Sequence, residues 1–409
     1  MTPLLARALA LPAALLLLTA GCAGMSAGGV GAPAAAGGPV RVALVDALTG
    51  PLSPFGIAVQ NGVEVAIEDL NARGGLLGAH VDLVSADDAQ SPDRTARAVR
   101  QVLSDRSVRL LVGPSFAGLF LAARPAVAAA RVPNCVAAMA ADDLMAGAPY
   151  TFRTHEPFAA DVPALLAYLQ KATQQRRVGL VTAGDAPGQA YDQQLADLAG
   201  RYGLQYVGAA FTTAAPDQRP LVQTLLQRGA DTVVLSDDPA TAGRTLLAVK
   251  QLNAGGRLRA VGPSGLGTYG FPQQAGDLAA GVVFVSTIQA YLSDVPDARW
   301  PPAYHDFVTK VLARFGPAAN GVEMRGAPAA ADCILEWARA VQAANDFDGT
   351  KVVRAWEGLD IPATQSVLGV RERFAADDHD AVPADGVFVY QWVRTGARWG
   401  LKQLAGPGT

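Results

Sequence analysis

From Val40 onward the chain alternates short apolar runs with longer stretches of helical spacing. "VRVALVDAL" reads as a strand, and "GIAVQNGVEVAIEDLNARGG" as an amphipathic helix stopped at Gly74 and Gly75. "HVDLVSADD", "VRLLVG", "PNCVAA" and "YTFRTH" read as further strands, with "PDRTARAVRQVLSD" and "AGLFLAARPAVAAA" as the helices between them. Strands alternating with helices imply parallel sheets with right-handed crossovers. The pattern restarts at "PALLAYLQKATQQ" and "RRVGLVTAG" and runs on to "LRAVGP" and "GVVFVST". Two units of one period, without close identity, predict two α/β lobes; 409 residues are also too many for one core. After Ser286 the rhythm turns helical, and a late strand, "DGVFVYQWV", is expected to close the chain. Helices outside a βα repeat must cover a lobe already begun, so the chain is expected to cross between lobes more than once. The cleft between the lobes is the expected ligand site, because ligands bind at the carboxyl ends of parallel strands.

The first residues carry a different signal. "MTPLLARALALPAALLLLTAGC" has one cation, Arg7, then an apolar run from Ala8 to Leu18, then small residues before Cys22. That is the layout of a secretory signal, too short to span a bilayer comfortably. The cysteine after Thr19-Ala20-Gly21 resembles a bacterial lipoprotein signal over residues 1–21, with Cys22 lipidated. Ala23–Pro39 is nearly all small residues and reads as a flexible tether, with a reach of about 20–25 Å. An exported protein held on the outer face of the cytoplasmic membrane, or in the periplasm, is expected.

A net charge of −3 from interspersed signs leaves no basic nucleic-acid footprint. No Cys/His spacing suggests a metal, and no cofactor is implied. Cys135 and Cys333 sit in apolar stretches of a chain bound for an oxidising compartment. Whether they meet stays open, with burial as free thiols slightly favoured.

The turn "LVGPSFAGLF" has three readings. Gly113-Pro114-Ser115-Phe116-Ala117 approaches a nucleophile elbow with Ser115 as nucleophile, but Ala117 replaces the last glycine. The later histidines, His155, His305 and His379, have no distinctive setting. Alternatively Ser115 and the N–H groups of Phe116, Ala117 and Gly118 hold a ligand's carboxylate at a helix start. Ser115 as a simple helix cap is compatible with that. "GLGTYG", Gly265–Gly270, matches a dinucleotide fingerprint but lies late in its lobe and before Pro272, so a glycine-rich loop is expected. "DDHD", Asp377–Asp380, is expected to be a solvated loop, and His155-Glu156 a hinge.

Taken together, "RVALVDALTGPLSPFGIAVQNGVEVAIEDLNARGGLLGAHVDLVSADDAQSPDRTARAVRQVL", "LLVGPSFAG", "VPNCVAAMAADDL", "FRTHEPFAAD", "RRVGLVTAGDAPGQAYDQQLADLAGRYG" and "AAADCILEWARAVQAAN" resemble the leucine/isoleucine/valine-binding proteins. These are type I periplasmic substrate-binding proteins of ABC importers. The resemblance spans about Val40 to Leu404. It implies two Rossmann-like parallel-sheet lobes joined by a three-crossover hinge, closing on a small ligand for a membrane permease. Residues 40–155 and 288–372 would form lobe 1; residues 156–287 and 373–409 would form lobe 2. A monomer without catalysis is expected. A sensor of the same fold without transport, and a secreted serine hydrolase using Ser115, are the alternatives.

By resemblance, Phe55 matches the aromatic residue after the first strand, and Ser115 with Phe116 the carboxylate-binding turn. Ala137, Ala138 and Met139 match the loop that holds the ligand's amino group, though Met139 brings no hydroxyl. In lobe 2 the family's aromatic-glycine pair is matched by Pro187-Gly188, with Tyr191 nearby. The acid that meets the ligand ammonium lines up with Ser264, a poor substitute for a carboxylate. Either Asp237 and Asp238 supply the acid from another loop, or the ligand is a carboxylate or small polar metabolite without the amino group.

Overall fold

The computed structural model describes residues 39–406 apart from 139–140, 214, 269 and 317–325. The signal, Cys22 and the tether therefore lie outside the described residues, as does Met139. In chain order the first repeat gives β1 (Val40–Asp46), α1 (Ser53–Ala72), β2 (Val81–Asp87), α2 (Pro92–Leu103), β3 (Val108–Val112), α3 (Ala117–Ala130), β4 (Asn134–Val136) and β5 (Thr151–Arg153). These strands form one parallel sheet in the order β2-β1-β3-β4-β5. Central β1 and β3 are buried along most of their length, as strands covered on both faces must be, while edge strand β2 is largely exposed.

The second repeat gives α4 (Phe158–Ala172), β6 (Arg177–Ala183), α5 (Ala186–Leu198), β7 (Gln205–Thr212), α6 (Arg219–Gln227), β8 (Thr232–Ser236), α7 (Pro239–Gln251), β9 (Arg259–Gly262), α8 (Gly270–Ala275) and β10 (Val283–Ser286). Then come α9 (Pro302–Phe315), α10 (Gly326–Ala344), α11 (Gly349–Trp356), β11 (Asp360–Ile361), β12 (Glu372–Arg373), β13 (Phe388–Thr395) and β14 (Arg398–Ala405). The second sheet runs β14-β13-β10-β9-β8-β6-β7, with β13 and β14 antiparallel at one edge.

Two expectations are corrected here. "DGVFVYQWV" does not close the chain: it turns at Gly396 (φ +63°) and pairs with β14. "RWGLKQLA" has too little alternation to announce a strand, and only pairing with β13 makes it one. The "GLGTYG" stretch is not simply a loop, because Ser264–Gly267 forms a 3₁₀ turn and α8 starts at Gly270. Pro272 sits in the first turn of α8, where its missing N–H breaks no helical bond.

The helices after β10 return to the first sheet. α10 lies against α1 so closely that a Cβ on Gly62 would stand 2.2 Å from the Ala327 carbonyl oxygen. α9 reaches α1 through Lys310 to Asp69 at 2.8 Å and Arg314 to Glu64 at 2.7 Å. A disulfide joins Cys135 on β4 to Cys333 on α10, with Cα atoms 5.7 Å apart. The favoured free-thiol reading is thus overturned: the returning helix brings together two cysteines 198 residues apart.

The chain passes between the sheets three times: β5 to α4, β10 to α9, and β12 to β13. The three passages are tied to one another. Thr287 N donates to Glu156 Oε1 at 3.2 Å, joining the first two. The Arg153 guanidinium, fully buried, grips both oxygens of Asp380 at 2.6 and 2.8 Å, joining the first to the third. His379 stacks on Phe152 with ring centroids 4.2 Å apart. "DDHD" is therefore not a solvated loop; its last two residues clasp the passages together. Its partners lie more than two hundred positions upstream, beyond the reach of local pattern.

Candidate functional site

Both sheets hand the chain over from their carboxyl ends, at Arg153 of β5 and Ser286 of β10. Those ends are therefore turned toward each other, and the predicted site residues sit on them. On lobe 1, Gly113 (φ +82°) turns the chain after β3, where a Cβ would lie 2.4 Å from the Val45 carbonyl oxygen. Asn134 Nδ2 donates to Gly113 O at 2.6 Å and fixes the turn.

Ser115, fully buried, does not cap α3; the cap position is Phe116, with extended backbone. The Ser115 hydroxyl instead donates to Asp46 Oδ2 at the end of β1. Asp46 Oδ1 accepts from Ala47 N at 2.8 Å. Burial pushes the Asp46 carboxyl up to about 6, against the Ser115 and Ala47 bonds that favour its charge, and the charge of Asp88 adds to the rise. The turn does hold a carboxylate, and that carboxylate belongs to the chain. Among the described residues no hydrogen bond links Ser115 to a histidine: His155 Nδ1 lies 2.8 Å from Glu156 O, and His379 Nδ1 lies 2.8 Å from Thr151 O.

The aromatic wall is Phe55 edge-on to Phe116, centroids 5.6 Å apart. Ala117 opens α3, and its N–H and that of Gly118 have no helical carbonyl behind them. Ala137 and Ala138 are buried just beyond β4.

On lobe 2, Gly188 lies in the first turn of α5, where a Cβ would stand 2.0 Å from Ala183 O, and its N–H is taken by the capping Asp185 at 2.9 Å. Tyr191 is fully buried and edge-on to Phe158, centroids 4.8 Å apart. Its hydroxyl has no hydrogen-bond partner among the described residues. Burial first, and then the charge of Asp161, push the Tyr191 hydroxyl well above its usual range.

Ser264 follows β9, and both its N–H and its hydroxyl donate to Asp161 Oδ2 at 3.3 Å. Asp161, fully buried on the first turns of α4, thus stands directly behind the position that looked empty of acid. Asp237 and Asp238 are engaged elsewhere, Asp237 with the end of β7 and Asp238 with its own helix start. Asp237 accepts from Thr212 Oγ1 at 2.7 Å, and Asp238 caps α7 through Ala240 N and Thr241 N at 2.9 and 3.0 Å.

Sequence reasoning missed Asp46 and Asp161. The first was legible as a lone acid closing the apolar run "VRVALVD". The second had no local signal, since its partner Ser264 is 103 residues away.

This fold, two parallel-sheet lobes with carboxyl ends facing across three passages, is that of the type I periplasmic binding proteins. The sequence profile of the periplasmic binding protein family matches residues 39–397, and the chain belongs to that family. It is 27% identical over 264 residues to the Leu/Ile/Val-binding protein BraC3 of Rhizobium johnstonii, covering 64% of this chain and 70% of that protein. The leucine-binding protein LivK of Thermotoga maritima superposes with a TM-score of 0.75 at 16% identity, covering 90% of this chain and 99% of that one. A solute-binding protein of an ABC transporter from R. palustris, solved with 4-hydroxybenzoate, superposes with a TM-score of 0.75 at 17% identity, covering 90% and 96%.

Proposed function

We propose that the chain is an extracytoplasmic receptor of an ABC importer, capturing a branched-chain or related amino acid or another small carboxylate between its lobes without chemical turnover. The observation that carries this reading is the placement of Ser115, Phe116, Ala137 and Ala138 just beyond the strand ends of one sheet, with Phe55 at the start of α1, and of Ser264 just beyond β9 of the other, with Gly188 and Tyr191 on the first turns of α5. Capture begins on one lobe; rotation about the three tied passages brings up the other. The closed form then docks on permease subunits. A signal over residues 1–21 and a lipidated Cys22 would tether the receptor outside the membrane, and no helix among the described residues is long and apolar enough to cross one.

The test is a thermal-shift screen of the chain from Ala23 against amino acids, their keto and hydroxy acid analogues, amines and aromatic carboxylates. A ligand at 1,000 times its Kd adds about 4 kcal/mol, a shift of several degrees. No shift with any of these, and no compaction in solution scattering, would refute the reading.

A further inference from the structure

The amino ends of the lobe 2 strands face away from the cleft, and an open groove of about 740 Å³ lies there. It runs between the end of α7 and the starts of β9 and β10. Its volume falls in the range that holds a small organic molecule. Three cations line it: Lys250, Arg257 and Arg259. Among the described residues no aspartate or glutamate lines it, and none of the three cations is in an ion pair.

The acids of the adjoining segments are engaged elsewhere. Asp231, whose carbonyl takes Arg259 N at 2.9 Å, accepts from Arg176 N and Arg177 N at 2.9 Å through its two carboxylate oxygens. Asp277, next to the lining residue Leu278, pairs with Arg394. The Tyr168 phenol lies beside the Arg259 guanidinium, and burial pushes its hydroxyl above the usual range, so it brings no negative charge. Helix α7 accounts for one cation at most. Lys250 sits in its last turn, where a positive charge offsets the free carbonyls. Arg257 and Arg259 lie beyond the helix and have no such task.

The backbone adds donors. After Asn253 (φ +50°) the chain makes a tight turn, closed by Arg257 N and Leu258 N on Ala254 O at 2.9 and 2.8 Å. Inside that turn Gly255 N and Gly256 N donate to nothing among the described residues, and both glycines line the groove. A Cβ on either would meet nothing within 4 Å, so the main chain is open to an approaching molecule. Leu258 and Val282, both buried, give the groove an apolar floor.

We propose that this groove is a second binding site, remote from the cleft, for a free small molecule carrying a phosphate group. Three unopposed cations call for an anion of more than one charge, and the several oxygens of a phosphate can meet guanidinium and backbone N–H donors together. The apolar floor accommodates the organic part of a phosphate ester. Arg259 opens β9 and Ser264 follows its carboxyl end, about 15 Å further along the chain, so the two sites do not overlap. A lipid headgroup offers the same chemistry. The expected tether, however, joins the body at Val40, at the amino end of the other sheet, so a lipid anchor would place this groove on the side away from the membrane.

The experiment is calorimetric titration of the purified protein at about 20 mM salt, where screening is weak, with inorganic pyrophosphate, phenyl phosphate and acetate. At least one of the two phosphates should bind with a Kd below about 1 mM, and at least tenfold more tightly than acetate. Lys250→Gln/Arg257→Gln/Arg259→Gln should weaken that binding at least tenfold. Arg94→Gln/Arg97→Gln/Arg100→Gln removes the same charge from exposed positions of α2 in lobe 1 and should leave the Kd within about threefold. Hydrogen–deuterium exchange of the wild type should slow over residues 253–261 when the phosphate is added, a readout that needs no variant. Equal losses from the two triple variants would mean an adventitious ion only and overturn the site. So would binding of neither phosphate, or exchange unchanged over 253–261. Flotation with phosphatidylglycerol vesicles separates the two sources: capture by vesicles, with neither soluble phosphate bound, overturns the assignment to a free ligand. Each of these outcomes leaves solute capture in the cleft standing.

Discussion

Reducing the Cys135–Cys333 disulfide should destabilise lobe 1 severely. The bond closes a loop of 198 residues by tying α10, which arrives late in the chain, to β4. In the chain-entropy account the stabilisation grows with the logarithm of loop length and reaches about 5 kcal/mol here. If the whole folded body melts as one unit, that loss lowers Tm by roughly 6 °C; if lobe 1 melts alone, its smaller unfolding entropy makes the drop about 12 °C. Differential scanning calorimetry with and without a phosphine reductant separates the two cases. A Cys22→Ala background leaves only the paired thiols to report. The double variant Cys135→Ala/Cys333→Ala should melt with or below the reduced protein, because it also empties buried volume. Oxidised and reduced melting points within about 2 °C of each other, with free thiols absent from the untreated sample, would refute the loop argument. Free thiols in the untreated native protein would refute the bond itself.

The other two predictions concern buried charge. Burial raises Asp46 to about 6 from an ordinary value of 3.8, and Asp332 likewise to about 6, so each contributes stability that is complete below pH 4 and is lost as pH climbs through 6. A rise of that size corresponds to about 3 kcal/mol per site at the upper bound, and urea unfolding at pH 5 and 8 should show the slope flattened in Asp46→Asn. Asp380→Ala should cost about 3–5 kcal/mol, because it strips the bidentate carboxylate from a fully buried Arg153, whose charge then faces Asp142 at 3.7 Å and the Ala141 carbonyl at 3.0 Å. The exposed neighbour Asp377→Ala should stay within about 0.5 kcal/mol in the same assay, and equal losses from both would remove the clasp from the account.

The alternation of apolar runs and helical stretches was enough to call two parallel-sheet lobes, because sheets covered on both faces demand long apolar strands. Helix starts were legible wherever the cap is local, as Ser91 accepts from Arg94 N at the start of α2. The glycine-turn-helix after β3 was equally plain, since Gly113 adopts a backbone conformation that few other residues tolerate. Ser115 could be placed at a strand end for the same reason, the end of a strand being a local property, whereas Phe55 and Ser264 were reached through the family resemblance.

What the tertiary structure alone decided was which side chains meet. Ser115 looked like a nucleophile, an anion holder or a cap, and became a donor to Asp46, 69 residues earlier. The acid sought beside Ser264 was Asp161, on a helix that four strands of the same sheet separate from it in the chain. Asp237 and Asp238 looked available, but Asp237 was held by Thr212 at the end of β7 and Asp238 by the start of its own helix. The periodicity of a chain reports how it buries apolar surface, a property repeated over many residues. A single hydrogen bond between distant residues leaves no such repeat, so the order of the strands must bring its partners together before it can be seen.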